Sequence, residues 1–149
     1  MNDITALAHS DHHDWLHLWQ GYLTFYESTL PDEVTETTFE RLARGKGMYG
    51  ALARDDHGRA VGFVNWLTHA STWNPSGYCY LEDLFVAPDV RGGGVGRSLI
   101  AHVRNWAEAA GCGKVYWLTQ ETNTVGRALY DRVAQHTGFV HYEIPIRGQ

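Results

Sequence analysis

The stretch "YLEDLFVAPDVRGGGVGRSLIAHVRNWAEAAGCGKVYWLT" constrains the fold of this chain more than any other. A β-type run, "YCYLEDLFV", leads into Arg91-Gly92-Gly93-Gly94-Val95-Gly96. Leu99, Ile100, Val103, Trp106, Ala107 and Ala110 then trace one face of an amphipathic helix that ends at Gly111. "KVYWLT" follows as a second compact β-type run. A strand–helix–strand crossover makes its two strands parallel neighbours. Four glycines in five positions are costly to order. The turn therefore serves either a positive φ or the close approach of a ligand to bare backbone.

The remaining segments surround this unit. "DITALA" reads as a first strand, and a helix starts after Ser10 or Asp11 with Trp15, Leu18, Tyr22 and Phe25 on one face. "TLPD" interrupts, and a second helix is expected where Thr37 and Glu40 have capping-box spacing and Phe39, Leu42 and Ala43 supply apolar contacts. "MYGALA" and "AVGFVNWLT" form a hairpin across "RDDHGR", and "STWNPSG" leads to the third strand of that group. Val125, Leu129 and Val133 mark a last helix, followed by Gly138 and a final strand, "FVHYEIPI". The order β-α-α-β-β-β-α-β-α-β predicts an α/β fold over residues 1–149 as a single domain. Its mixed sheet has antiparallel hairpins first, a parallel pair later, and helices on both faces.

Composition narrows the function classes. A net charge of −5 argues against a general nucleic-acid binder. No apolar run reaches the ~20 residues that span a bilayer, and "MNDITALAHSDHHD" lacks the basic start and apolar core of a signal peptide. A cytoplasmic protein is expected. Cys79 and Cys112 have no metal-like spacing. Among the nine histidines, His13 and His17 stand at i, i+4, yet no downstream pair completes a zinc spacing, so no metal is expected.

The glycine turn can be tested against known phosphate-binding loops. A P-loop requires Lys followed by Ser or Thr after its last glycine, whereas Gly96 precedes Arg97 and Ser98. The dinucleotide pattern G-x-G-x-x-G fails at its last position, which is Arg97. What survives is the shared physics. Bare amides and the positive end of a helix attract an anion, with Arg91 and Arg97 adding charge on either side.

"YLEDLFVAPDVRGGGVGRSLI" resembles motif A of the GCN5-related N-acetyltransferases (GNAT), Arg/Gln-x-x-Gly-x-Gly/Ala, through Arg91, Gly94 and Gly96. "NTVGRALYDRVAQHTGF" is similar to the family's second motif, with Asn123, Ala128, Leu129, Tyr130 and Gly138-Phe139. "FYE" and "YLEDLFV" resemble the diamine N-acetyltransferase branch and its relatives. The resemblance implies the GNAT fold with a splayed parallel pair, acetyl-CoA as donor and a small-molecule amine as acceptor. It implies that amides from Arg91, Gly92, Gly93, Gly94, Val95, Gly96, Arg97 and Ser98 hold the pyrophosphate, while backbone around Leu84, Phe85 and Val86 pairs with the pantetheine. Asn123 is a further cofactor contact, or only the cap of its helix. Close relatives are commonly dimers, and "FVHYEIPI" can add to a partner's sheet, with Pro145 marking an edge.

The chemistry requires a base for an ammonium whose pKa is near ~10, a donor for the oxyanion and an acid for the departing thiolate. Glu82 and Asp83 are both candidate bases, and in a regular strand only one of them faces the cleft. The resemblance favours Glu82, and it assigns the acid to Tyr130, which also meets the cofactor. Gly126, one turn before Tyr130, leaves space beside the ring. Tyr26 and Glu27 match the family's acceptor segment, and Trp73, Glu82 and Asp83 join them as candidates for a cationic substrate. Two other readings stay open: acetylation of proteins or peptides, and a module that binds acyl-CoA without chemistry.

Overall fold

Hydrogen-bond pairing assembles four runs of alternating side chains into an antiparallel meander: Asp3–Ala6 (β1), Met48–Arg54 (β2), Ala60–His69 (β3) and Tyr78–Val86 (β4). Val115–Tyr116 (β5) joins β4 in parallel, giving the order β1-β2-β3-β4-β5. The computed structural model describes residues 2–147, in two compact units divided between Trp117 and Leu118. The helices are His12–Phe25 (α1), Asp32–Arg44 (α2), Val95–Ala109 (α3) and, in the second unit, Thr124–Val133 (α4).

The two faces of the sheet in the first unit are read from β3, which is covered on both sides. Phe63 points toward α1, where its ring meets Trp15, Trp19 and Tyr22. Leu18, Phe39, Leu42 and Phe85 complete that core. On the opposite face Val95, Leu99, Val103 and Ala107 of α3 are buried, and Trp66 packs on His102 and Trp106. Gly62 makes this approach feasible, because a Cβ there would lie 2.9 Å from the Phe85 carbonyl oxygen and 3.1 Å from Leu99. Arg54 of β2 binds Asp11 at 2.8 Å and Asp14 at 2.9 Å, which ties the start of α1 to the sheet.

Three expectations change. The second helix begins at Asp32 after Pro31, so Thr37 and Glu40 lie inside it rather than capping it. Pro31 holds φ at −57°, and Asp32 and Glu33 favour the positive helix end, a stronger start than the capping-box pair. "KVYWLT" contributes only two residues to the ladder. "FVHYEIPI" is not a strand: residues 135–146 hold no helix or strand, and Phe139, Val140, Tyr142, Ile144 and Ile146 are exposed. Alternation of side chains makes a strand only where a second backbone supplies the ladder. Among the described residues none does.

Candidate active site

β4 carries one residue too many. Asn65 pairs with Asp83 and Trp66 with Leu81, so Glu82 has no partner across β3 and forms a bulge. On the α1 side the register aligns Tyr78, Tyr80, Asp83 and Phe85 with His69, Leu67, Asn65 and Phe63. Parity changes at Glu82. The expectation that only one acid of the pair faces the cleft assumes a regular strand, and the strand is bulged at Glu82; both carboxylates raise the pKa of the Tyr22 and Tyr80 hydroxyls. The ladder to β5 is also short, with Cys79 opposite Val115 and Tyr80 opposite Tyr116. Beyond Tyr80, no strand among the described residues pairs with the outer edge of β4. Bulge and open edge therefore coincide.

Asp83 is held by two donors. The Tyr22 hydroxyl donates to Oδ1 at 2.7 Å and the Asn65 amide to Oδ2 at 3.1 Å. Desolvation still raises its pKa against these bonds. Burial and the Asp83 charge hold the Tyr22 hydroxyl protonated, and Asn65 Oδ1 is buried without a partner. Glu82 is exposed at the bulge, yet desolvation first, and the Asp83 charge second, raise its pKa too. A carboxylate so placed accepts a proton more readily near neutrality than an ordinary surface acid does.

Tyr26 caps α1 edge-on to Tyr22, with ring centroids 5.0 Å apart, and burial and then Asp83 raise its pKa. The structure thus brings Tyr22, Tyr26, Tyr80, Glu82 and Asp83 together. Glu27 follows at φ 52°, a left-handed conformation unusual for a side-chain-bearing residue, and is exposed. Trp73 is not gathered into this group: it is 89% exposed in the loop between β3 and β4.

The glycine turn is open where an anion would lie. Gly92 and Gly94 have φ of 89° and 85°, and a Cβ at either would meet nothing within 4 Å. No side chain caps α3 at Gly94, so first-turn amides, which a helix cannot satisfy itself, are left for a ligand. The turn fits a pyrophosphate in this respect. Some of its groups are already engaged within the protein. Val95 is buried in the core, and the Ser98 amide already donates to the Gly94 carbonyl. Arg91 does not reach across the loop: Nε donates to the Val86 carbonyl at 3.1 Å, and its guanidinium lies 5.5 Å from the Phe25 ring and 5.6 Å from the Phe85 ring. Cation–π attraction and a carbonyl acceptor turn it toward α1. A cleft of about 640 Å³ beside it is lined by Gln20, Gly21, Phe25, Phe85 and Arg91, at the loop end of β4. Leu84 and Val86 face the α3 side, Phe85 the α1 core.

In the second unit, Asn123 caps α4: its Oδ1 accepts from the Gly126 amide at 3.2 Å and its Nδ2 donates to Thr119 at 3.0 Å. The space at Gly126 is taken by this cap, since an added Cβ would lie 2.5 Å from Asn123 Nδ2. It is not left free beside Tyr130, which is half-buried on α4.

Asn65 and Tyr80 escaped the sequence reading, whereas Tyr22 was among the aromatic faces it offers to a cation. The signal for Tyr80 was present, since it stands two residues before Glu82 in an alternating strand, but Asn65 is visible only through register. Cys79 offers no nucleophile, because burial pushes its thiol up to about 12.

Residues 12–134 match the acetyltransferase (GNAT) family model. A D-amino-acid N-acetyltransferase of Saccharomyces cerevisiae is 37% identical over 142 residues, covering 94% of this chain and 88% of that one. An aminoglycoside N-acetyltransferase in complex with a CoA-linked bisubstrate analogue superposes with a TM-score of 0.85 at 22% identity, covering 99% of each chain. A ribosomal-protein-alanine N-acetyltransferase from Brucella melitensis gives 0.82 at 25% identity, over 98% of this chain and 99% of that one. With the bulged β4, its open edge and the uncapped glycine turn, these matches lead to one conclusion: the chain belongs to the GNAT acetyltransferase family and is an acetyl-CoA-dependent N-acetyltransferase.

Proposed function

We propose that the acceptor is the primary amine of a small cationic molecule, a polyamine, a diamine or an amino acid, acetylated directly in a ternary complex. One observation carries this reading. Asp83 accepts from Tyr22, which packs on Tyr26, and lies in phase with Tyr80 across the bulge at Glu82, an environment that suits an alkylammonium through charge and aromatic faces. A D-amino-acid N-acetyltransferase among the relatives supports an amino acid as one such acceptor. The family match runs from residue 12 to 134, which supports reading the two units as one functional domain. Free thiols at Cys79 and Cys112 suit a reducing compartment such as the cytoplasm.

When bound, acetyl-CoA supplies an activated acetyl thioester. The chain's residues do the rest. Glu82 takes the ammonium proton, directly or through a water, and its raised pKa lets it do so near neutrality. Asp83 remains hydrogen-bonded to Tyr22 and Asn65 and adds to the field that draws the cation in. Backbone N–H groups at the open edge of β4, around Leu84 to Val86, are the donors proposed for oxyanion and pantetheine. Tyr130 is assigned the proton for the departing thiolate on its place in the second motif. Amides of Gly92 and of Gly94 to Arg97 hold the pyrophosphate, with that of Gly93, now donating to the Val90 carbonyl at 3.4 Å, free to join them on a small shift, as the uncapped start of α3 supports.

A panel of amines assayed for CoA release tests the acceptor class, and initial rates over a grid of both substrates test the ternary complex. Turnover of diamines or amino acids with intersecting kinetics is expected. Turnover of protein N-termini alone, or acetyl-CoA binding without turnover, rejects the reading.

We also propose a homodimer. Phe139, Val140, Tyr142, Ile144 and Ile146 are a cluster of large exposed apolar side chains, which a second copy would cover.

A further inference from the structure

A cation that makes no salt bridge among the described residues lies on the same sheet face as Tyr80 and Asp83. Lys114 directly precedes β5, one residue before the Val115–Cys79 pair. Its Nζ is 4.4 Å from the Tyr78 ring centroid and 5.9 Å from that of Tyr116. No carboxylate among the described residues forms a salt bridge with it.

The surface between this cation and the acids is rigidly built. His69 Nδ1 is 2.8 Å from the Ala70 carbonyl, which can only accept, so Nδ1 carries the hydrogen. Nε2 then accepts from the Tyr116 hydroxyl at 2.8 Å, which fixes that ring. Tyr80 rests on Tyr116 with centroids 5.0 Å apart. The hydroxyl of Tyr80 in turn lies in the field of Glu82 and Asp83. One continuous wall thus runs from the acids over Tyr80 and Tyr116 to Lys114. At about 3.3 Å per residue, Tyr80 is about 7 Å and Tyr78 about 13 Å from Glu82 along β4. The ammonium lies closer to the Tyr78 ring than to that of Tyr116, so along β4 it stands nearer the Tyr78 level, about 13 Å from Glu82.

Building on the amine-acceptor reading above, we propose that Lys114 binds a carboxylate at the end of the acceptor remote from its reacting amine. The acceptor is then a long ω-amino carboxylate or the terminal carboxylate of a short peptide, stretched along Tyr80 and Tyr116. The carboxylate and amine of one α-carbon are too close together to engage both ends. Of the acceptors named above this selects an amino acid whose carboxylate is remote from its amine, and it makes polyamines and diamines the poorer substrates, because Lys114 repels the cation at their far end.

The test compares kcat/KM for 6-aminohexanoate, triglycine and hexylamine in the wild type, Lys114→Gln and Lys114→Glu. A charged hydrogen bond predicts at least a tenfold preference of the wild type for 6-aminohexanoate over hexylamine. Lys114→Gln brings the two near parity through KM, with kcat retained, and Lys114→Glu reverses the order and favours hexane-1,6-diamine. Triglycine joins 6-aminohexanoate if peptide termini are the source of the carboxylate. Hexylamine rates and the KM for acetyl-CoA stay unchanged in both variants, which shows that they fold. Equal wild-type rates on 6-aminohexanoate and hexylamine, or a preference that survives Lys114→Gln, overturn the subsite but leave amine acetylation standing. No turnover of any amine rejects both.

Discussion

Tyr22 on α1 and Asp83 on β4 are 61 positions apart in sequence, and the hydroxyl of one donates to the carboxylate of the other at 2.7 Å. That bond fastens α1 to the bulged strand. Its energetics are linked to pH. Burial raises the pKa of Asp83 in the folded state, so ionising it opposes folding: stability is highest below the unfolded pKa and falls as pH rises through the folded one. Tyr22→Phe removes a donor to the charged form and should cost about 1.5–3 kcal/mol at pH 7. The loss shrinks as acid protonates Asp83. Asp83→Asn should be neutral or stabilising at pH 7 and converge with the wild type in acid. Urea unfolding across pH measures both, and a pH-independent loss for Tyr22→Phe would contradict the linkage.

Glu82→Gln should lower kcat/KM for the amine by about 10²–10⁴-fold, the usual contribution of a general base. The wild-type acid limb should lie above the ordinary carboxylate range, because desolvation and Asp83 raise the Glu82 pKa. An unchanged pH–rate profile in the variant would assign the base elsewhere. Tyr130→Phe should lower kcat much more than affinity for acetyl-CoA.

Phe25→Ala should weaken acetyl-CoA binding although Phe25 lies on α1 and not in the glycine turn. Its ring holds the Arg91 guanidinium at 5.5 Å. Losing a cation–π contact of about 0.5–1 kcal/mol predicts a two- to fivefold rise in the KM for acetyl-CoA. Phe25 is itself half exposed, so thermal stability should change little. An unaltered KM would mean that the clamp does not order the loop.

Gly94→Ala separates backbone strain from ligand space. A Cβ there touches no protein atom, but φ is 85°, so the folding cost should be the left-handed penalty of about 1–2 kcal/mol. A loss of acetyl-CoA affinity well beyond that factor, by calorimetry, would show that the ligand lies against this glycine. Equal losses would confine its role to the turn.

Ile144→Asp and Ile146→Asp should yield monomers if the exposed tail residues pair two copies. The apolar side chains they replace are exposed within one chain, so the fold of the monomer should tolerate them. Light scattering after gel filtration reads the mass directly. A wild type that is monomeric at micromolar concentration removes the dimer.

Where local pattern dictates structure, the sequence was legible. Tyr78–Val86 has the strand bounds its composition suggests, and α3 starts at Val95 because glycines precede a 3.6-residue stripe. Asn123 has the side chain of a helix cap and acts as one. Pairing between distant segments was not legible. Alternation read straight through Leu81-Glu82-Asp83 assumes a period of two, and only the register against Asn65 and Trp66 reveals the extra residue. The side-chain direction of Arg91 depends on Phe25, 66 positions earlier, and so has no local signal. "FVHYEIPI" shows the reverse case: the pattern is clear and no ladder partner meets it.

The unpaired residue at Glu82 makes β4 behave like a reading frame. Upstream, Tyr78 and Tyr80 are in phase with the α1 side of the sheet; downstream, Asp83 and Phe85 are in the same phase only because one position has been skipped. Deleting Glu82 would restore regular pleating and throw one half of the strand out of phase. Either the tyrosines would turn to the α3 side or Phe85 would leave its core. Substitutions at this position can be tolerated by the fold, whereas a change in the number of residues between Tyr80 and Phe85 cannot.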